Sequence, residues 1–183
     1  MLEGAVVFKG IHNGNDILIR HVRRDDTKPL MDFINVLSIE QTYITFQGEQ
    51  MTLIEESNYI DGFIKKAENH GAVKLLVFHG EELIGLADVF MKDRAESHIG
   101  VFGIMLAKEW RAKGIGKFLM QLTLDEAKKN IPTMKIITLG VFCNNPIAKA
   151  LYEKMGFATY GMLPKGLQHK GELVDHLYMY KEV

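Results

Sequence analysis

A single cysteine, Cys143, in 183 residues excludes an intrachain disulfide framework and any metal centre built from cysteine pairs. Proline is scarce too, with four in the chain, and there is no Pro/Gly/Ser-rich linker, repeat or low-complexity block. No apolar run approaches the ~20 residues needed to span a bilayer. Met1 to Lys9 lacks the basic region and apolar stretch of a secretory leader. Nor does one sign of charge dominate. The 22 Lys and Arg nearly cancel 23 Asp and Glu, so no global field draws nucleic acid or an anionic membrane. These absences leave the expectation of a cytoplasmic chain whose residues 1–183 form a single domain. The composition, 47% hydrophobic and 25% charged, is that of a chain able to build one buried core. A homodimer is the base-rate expectation for its assembly.

Against this background the periodicities are informative. Ala5 to Phe8 and Ile17 to Val22 flank Asn13-Gly14, a dipeptide that favours a tight hairpin turn. Asp26 or Thr27 caps a first helix, followed by Leu30, Phe33, Ile34 and Leu37 at helical spacing. Thr52-Leu53-Ile54-Glu55 has the form of a capping box and opens a second helix to about Asn69. Val73 to Phe78, Leu83 to Met91 and Ile99 to Leu106 read as consecutive strands. An amphipathic helix over Ile115 to Lys129, a buried strand over Ile136 to Phe142 and a short helix over Pro146 to Met155 follow. Ala158 to Met162 and Leu173 to Tyr180 close the chain as strands around a Gly/Pro-containing loop. Consecutive strands followed by a crossover predict an α/β (α+β) fold with a mixed, mostly antiparallel sheet and helices on its faces.

The most informative segment is Arg111-Ala112-Lys113-Gly114-Ile115-Gly116-Lys117, between a strand and an amphipathic helix. A glycine-bearing turn opening a helix presents unpaired N–H groups at the positive end of the helix dipole. Gly114 and Gly116 let an anion approach the backbone, and Arg111, Lys113 and Lys117 add charge. The natural ligand is a phosphate or pyrophosphate. The spacing is not that of a Walker loop, because Lys117 precedes Phe118. It lacks the third glycine and the acidic ribose partner of a Rossmann turn. The turn alone also fits a basic helix start that binds nothing.

Arg111 to Gly116 matches R-x-x-G-x-G. Asn145-Pro146-Ile147-Ala148-Lys149-Ala150-Leu151-Tyr152-Glu153-Lys154-Met155-Gly156-Phe157 matches N-x-x-A-x-x-L-Y-x-x-x-G-F at every fixed position. In both motifs and their order the chain resembles the GNAT superfamily of N-acetyltransferases. The resemblance implies a sheet of about seven strands, splayed between the fourth and fifth, with acetyl-CoA as cosubstrate and no metal. Its pantetheine arm would lie along Ile104, Met105 and Leu106 on one edge and Leu139 to Val141 on the other. The backbone of Arg111, Ala112, Lys113, Gly114, Ile115, Gly116 and Lys117 would take the pyrophosphate, with Asn145 and Ala148 near the arm.

Acylation of an amine by a thioester needs a neutral amine, a stabilised oxyanion and a stabilised leaving thiolate. Tyr152 matches the family tyrosine that acts as general acid to the CoA sulfur, and a phenol with a reference pKa of ~10 suits that role. Tyr152 also shares a helical face with Ala148, Leu151 and Met155, which equally fits a core residue with its hydroxyl at the rim. Asn145 doubles as a helix N-cap.

The resemblance would put a general-base glutamate at Gly100 or at Gly140, and neither is acidic. His98, two residues before Gly100, and Asp88 on the preceding strand are the remaining base candidates. Residues 40–56 and 163–172 would form the acceptor walls, where Glu40, Glu49, Glu55 and Glu56 favour a cationic amine or a basic peptide end, or form a solvated acidic loop and helix start. Peptide N-termini, lysine side chains, polyamines and aminoglycosides all remain open as amine acceptors. A non-catalytic CoA-binding sensor and a nucleotide-binding protein are the competing functions.

Overall fold

The computed structural model describes residues 3–183; Met1 and Leu2, the start of the segment read as lacking a leader, lie outside them. Asn13-Gly14 forms the turn between β1 (Val6–His12) and β2 (Asn15–His21). Helices α1 (Thr27–Glu40) and α2 (Leu53–Glu68) come next. The box at the start of α2 closes as its sequence requires: the Glu55 N–H donates to Thr52 Oγ1 at 3.3 Å, and the Thr52 N–H donates to the Glu55 carboxylate at 2.9 Å. Strands β3 (Ala72–His79), β4 (Glu82–Met91) and β5 (Ile99–Leu106) form an antiparallel meander. Helix α3 (Ile115–Asn130) crosses to β6 (Ile136–Phe142), and α4 (Pro146–Lys154) leads to the hairpin of β7 (Ala158–His169) and β8 (Glu172–Glu182).

The sheet has eight strands in the order β1-β2-β3-β4-β5-β6-β8-β7, one more than the resemblance implied, because β1 adds an outer strand. Only β5 and β6 are parallel, so the family's fourth and fifth strands are β5 and β6 here. Alternation along the strands sorts the apolar residues into two cores. Ile84, Ala87, Val89, Phe102, Ile137 and Leu139 meet α3 and α4 on one face, whereas Leu76, Phe78 and Leu86 meet α1 and α2 on the other.

Two boundaries differ from the sequence reading. Strand β7 continues to His169 through an irregularity between Leu163 and Leu167, where a loop was expected, because the Lys165 N–H donates to Asp175 Oδ1 at 2.9 Å and pairing with β8 then resumes. Asp26 stands at the N-cap of α1 without capping it. Its carboxylate accepts two hydrogen bonds from Arg20, at 2.7 and 2.6 Å, and one from the Arg23 N–H at 2.8 Å. Both partners are buried, and the Arg20 guanidinium lies 4.5 Å from the Phe78 ring centroid. Breaking such a pair leaves one charge buried and unpaired. Asp26→Ala should therefore cost about 3–5 kcal/mol in urea unfolding; a loss below about 1 kcal/mol would show that the pair does not anchor α1.

Candidate active site

Strands β5 and β6 pair only at Ile99/Ile136, Gly100/Ile137 and Val101/Thr138, then diverge. Residues 104–106 keep their partners on β4, and residues 139–141 keep theirs on β8. Each strand turns its other backbone edge to a cavity of about 760 Å³. Ile104, Met105, Leu106, Arg111, Ala112, Gly114, Gly116, Lys117, Asn145, Ala148 and Tyr152 all line it. The two motifs, far apart in sequence, thus converge on one cleft.

At its mouth the 111–117 turn is built by two left-handed residues, Ala112 at φ 61° and Gly114 at φ 81°. Gly114 is the α3 N-cap and has no side chain to cap it. The first closed helical bond is from the Phe118 N–H to Gly114 O at 3.3 Å, so the N–H groups of Ile115, Gly116 and Lys117 have no helical acceptor. A Cβ at Gly114 would overlap the Asn13 amide, which donates to Lys113 O at 3.0 Å. His12 stacks on Phe118 with ring centroids 4.1 Å apart. The β1–β2 hairpin therefore braces the anion turn, a role of His12 and Asn13 that rests on contacts about 100 residues apart in the chain.

The basic side chains of the turn are mostly committed elsewhere. Arg111 pairs through both terminal nitrogens with Glu40, the longer contact at 2.9 Å, and its Nε donates to Leu106 O at 3.0 Å. It ties the end of α1 to the end of β5. Lys113 lies over the Trp110 ring, 4.4 Å from its centroid. Ile115 is fully buried, so it offers the cleft only its backbone. Lys117 also lines the cavity, and among the described residues no ion pair engages its ammonium.

On the α4 side Asn145 Oδ1 accepts the Ala148 N–H at 3.2 Å, so the capping role is real, and no protein group engages its Nδ2 among the described residues. Tyr152 is 7% exposed and packs against Phe102 and Phe157. Burial pushes its phenol up to about 12, and its hydroxyl has no protein partner among the described residues.

Neither base candidate from the sequence reaches the cleft. His98 lies exposed in the turn before β5, where its carbonyl accepts the Lys135 N–H at 2.9 Å. That is the paired end of the strand, about 16 Å of extended chain from Ile104. The two-residue spacing from Gly100 was measured along a strand that begins only at Ile99. Asp88 is buried under α2 with Oδ2 3.0 Å from Lys74 Nζ. Burial works against the Lys74 charge, but Asp88 and the Tyr59 hydroxyl outweigh it and hold the ammonium above its ordinary pKa. Asp88 is a structural counter-ion, absent from the cavity lining.

Both glycines at the expected glutamate positions have a physical reason. A Cβ at Gly100 would press on Val89 and on Met134 Sδ, 3.0 Å away, in the α3-side core. Gly140 lines the cavity from the opposite face, and a Cβ there would overlap Nε2 of His176, which reaches across from β8. That imidazole packs on Tyr178 with centroids 4.3 Å apart, and burial lowers its pKa.

Beside Tyr43, which lines the cavity, the structure is pinned at His169. Its Nδ1 lies 3.0 Å from Asn144 Nδ2 and its Nε2 lies 3.1 Å from Gln41 O, and the Nε2–H tautomer satisfies both. Tyr43 packs on His169 and Phe142 and donates to Asn144 O at 3.0 Å. The α1–α2 connection and the β7–β8 hairpin thus meet at this end, as expected. The four acidic residues do not stand free there. Glu40 is taken by Arg111, Glu49 accepts the Gln47 N–H, Glu55 caps α2, and Glu56 is buried. Among the described residues, no cluster of His, Cys, Asp or Glu could hold a metal, and no helix is long and apolar enough to cross a membrane.

Comparison with known proteins agrees with this geometry. The model of the acetyltransferase (GNAT) family matches residues 33–157. The L-amino acid N-acetyltransferase AaaT of Escherichia coli K12 is 30% identical over 114 residues, 62% of this chain and 70% of that protein. A GNAT-family acetyltransferase from Streptococcus pneumoniae superposes with a TM-score of 0.82 at 25% identity, over 91% of this chain and 99% of that one. The fold of yncA from Salmonella typhimurium, solved with acetyl-CoA, matches with a TM-score of 0.77 at 15% identity, over 91% of this chain and 93% of that one. A turn, an opened sheet and a second motif on the same cleft, together with a family match across most of the chain, make this protein a member of the GNAT acetyltransferase family.

Proposed function

We propose that this chain, acting as one catalytic domain, transfers an acetyl group from acetyl-CoA directly to the α-amine of an amino acid or peptide, within a ternary complex. The observation that carries the reading is the parting of β5 and β6 after three residue pairs. It leaves two unpaired backbone edges facing each other across the cavity, with unpaired N–H groups of the 111–117 turn at its mouth. An arm bearing amides fits the edges as an added strand would, and a pyrophosphate fits the turn. A nucleotide without such an arm would leave the edges unsatisfied.

Bound acetyl-CoA supplies an activated thioester carbonyl. Backbone amides of the turn hold its pyrophosphate, while Arg111 fixes the shape of the site through Glu40 and Leu106. Tyr152 faces the cleft as a phenol that stays protonated throughout the neutral range. A thiol of ordinary pKa, about 8.5, is a much stronger acid than a phenol at about 12. Tyr152 thus stabilises the departing sulfur chiefly as a hydrogen-bond donor, and solvent delivers the final proton. This refines the general-acid role implied by its motif, and a tyrosine placed in this way favours an enzyme over a sensor.

The preference for an α-amine rests on two supports. The acidic side chains that would bind an extra cation on a polyamine or aminoglycoside are already engaged. The terminal amine of a peptide, with a reference pKa of about 7.7–8.0, is also neutral far more often near pH 7 than a lysine amine at about 10.4. The name of AaaT points to the same acceptor class for that relative.

Acetyl-CoA should raise the melting temperature, whereas ATP and NAD at equal concentration should not; equal stabilisation by all three would favour a general nucleotide site. Gly114→Val should abolish this shift, because it places a side chain at φ 81° and into Asn13. Arg111→Ala should keep the shift while losing about 1–2 kcal/mol of folding stability; the reverse ranking would make Arg111 the principal pyrophosphate ligand. Tyr152→Phe should lower kcat about 100-fold with little change in acetyl-CoA affinity; unchanged turnover with chemistry rate-limiting would make Tyr152 a packing residue only. In a thiol-release screen, amino acids and peptides should turn over well ahead of polyamines and aminoglycosides, and a preference for either of the latter would refute the α-amine assignment.

A further inference from the structure

The geometry points to His176 as the general base that takes the proton from the attacking amine, a role resting on the acyltransfer proposed above. The resemblance would put a carboxylate at Gly100 or at Gly140, and of the two only Gly140, on β6, lines the cavity. Having no side chain, Gly140 leaves a vacancy there, and Nε2 of His176 from the neighbouring strand fills it. Gly140 pairs with Tyr178, and His176 lies two residues before it on the same face of β8. The ring lies on the sheet face that also carries Phe142, against which Tyr43 packs from the α1–α2 connection. Tyr152 belongs to the core of the opposite face. A thioester carbonyl held in the opened sheet would thus have a proton acceptor on the acceptor side and a hydrogen-bond donor on the leaving-group side.

The state of the ring suits the task. Among the described residues no protein group forms a hydrogen bond with either of its nitrogens, and burial lowers its pKa, which favours the neutral ring. The titratable groups around it are Tyr178 and Asp175 on β8, Cys143 after the end of β6, Lys165 on β7, and His169 and Tyr43 beyond Phe142. Asp175 bonds instead to the Lys165 N–H, Tyr43 to Asn144 O, and His169 to Asn144 and Gln41. The other buried titratable groups are spoken for or remote. Asp88 is paired with Lys74, and Glu56 is buried beneath α2 beside Lys74, whereas His176 reaches the cleft through the lining residue Gly140 without itself lining the cavity.

In the step itself the amine nitrogen bonds to the carbonyl carbon and the carbon–sulfur bond breaks, its electron pair leaving with sulfur. The amine proton passes to Nε2 of His176. The imidazolium returns that proton to solvent, and the thiolate takes one from solvent, giving the N-acetyl product and free thiol. No oxidant, reductant or metal is needed.

The test is the pH dependence of kcat/KM with an α-amine acceptor, in the unsubstituted protein and in His176→Gln. With His176 acting as base, log kcat/KM should rise with a slope near 2 below the His176 pKa, which burial lowers, and near 1 between it and the amine pKa. His176→Gln should keep acetyl-CoA affinity, lose about 10²–10⁴-fold in kcat/KM at pH 7, and show a slope near 1 throughout. His176→Ala, which leaves a hole over Gly140, should recover part of its activity with added imidazole. A steeper low-pH limb retained in His176→Gln, or no imidazole rescue, overturns the assignment while leaving acyltransfer intact. Absence of acetyl-CoA-dependent thiol release in the unsubstituted protein overturns both.

Discussion

After Val101 the fifth and sixth strands stop pairing, and the consequences of that break run through the whole molecule. A sheet that opens in its middle exposes N–H and C=O groups that would otherwise be satisfied, at a cost of order 1 kcal/mol or more for each one left without a partner. The rest of the fold keeps the opening in place. Strand β5 stays paired to β4, and β6 to β8, so the two halves of the sheet remain rigid while the gap between them does not close. Arg111 locks the mouth by joining β5 to α1, and the β1–β2 hairpin braces the turn through Asn13 and His12. A ligand that carries amides beside a pyrophosphate satisfies both the edges and the turn.

The opened sheet also sets the two proposed catalytic side chains on opposite faces. Tyr152 comes from the α4 side, in the larger core, and His176 lies on the side roofed by the α1–α2 connection and the β7–β8 hairpin. An amine entering under that roof would meet the carbonyl from the side away from the sulfur donor. The His169 pin gives the roof its rigidity by using both ring nitrogens at once. The acidic residues of that region serve the fold: one clamps Arg111, one caps α2 and one holds its own loop.

What was legible in the sequence was local. The Thr52 box, the Asn13-Gly14 turn, the α3 stripe and both motifs depend on spacings within a few residues, and each formed where it was expected. What was not legible depended on register between distant strands. His98 stood near Gly100 in sequence, yet the strand carries it to the paired end of the sheet, away from the cleft. His176 lies 36 residues beyond Gly140 and meets it only because β6 and β8 pair as Gly140/Tyr178. Gly140, where the resemblance would put a carboxylate, was the one available signal, and it did not name the residue that fills the space. The commitment of Arg111 to Glu40 was hidden in the same way, by a contact spanning 71 residues.

The most direct test of the opened sheet as the acetyl-CoA site is backbone amide hydrogen exchange, with and without acetyl-CoA, resolved to short peptides. Binding should slow exchange at residues 104–106, 112–117 and 139–141, where unpaired edge and turn amides would gain acceptors, and leave the β1–β4 edge of the sheet unchanged. Saturating acetyl-CoA that protects other segments and leaves the amides of 112–117 and 139–141 exchanging as before would contradict the account.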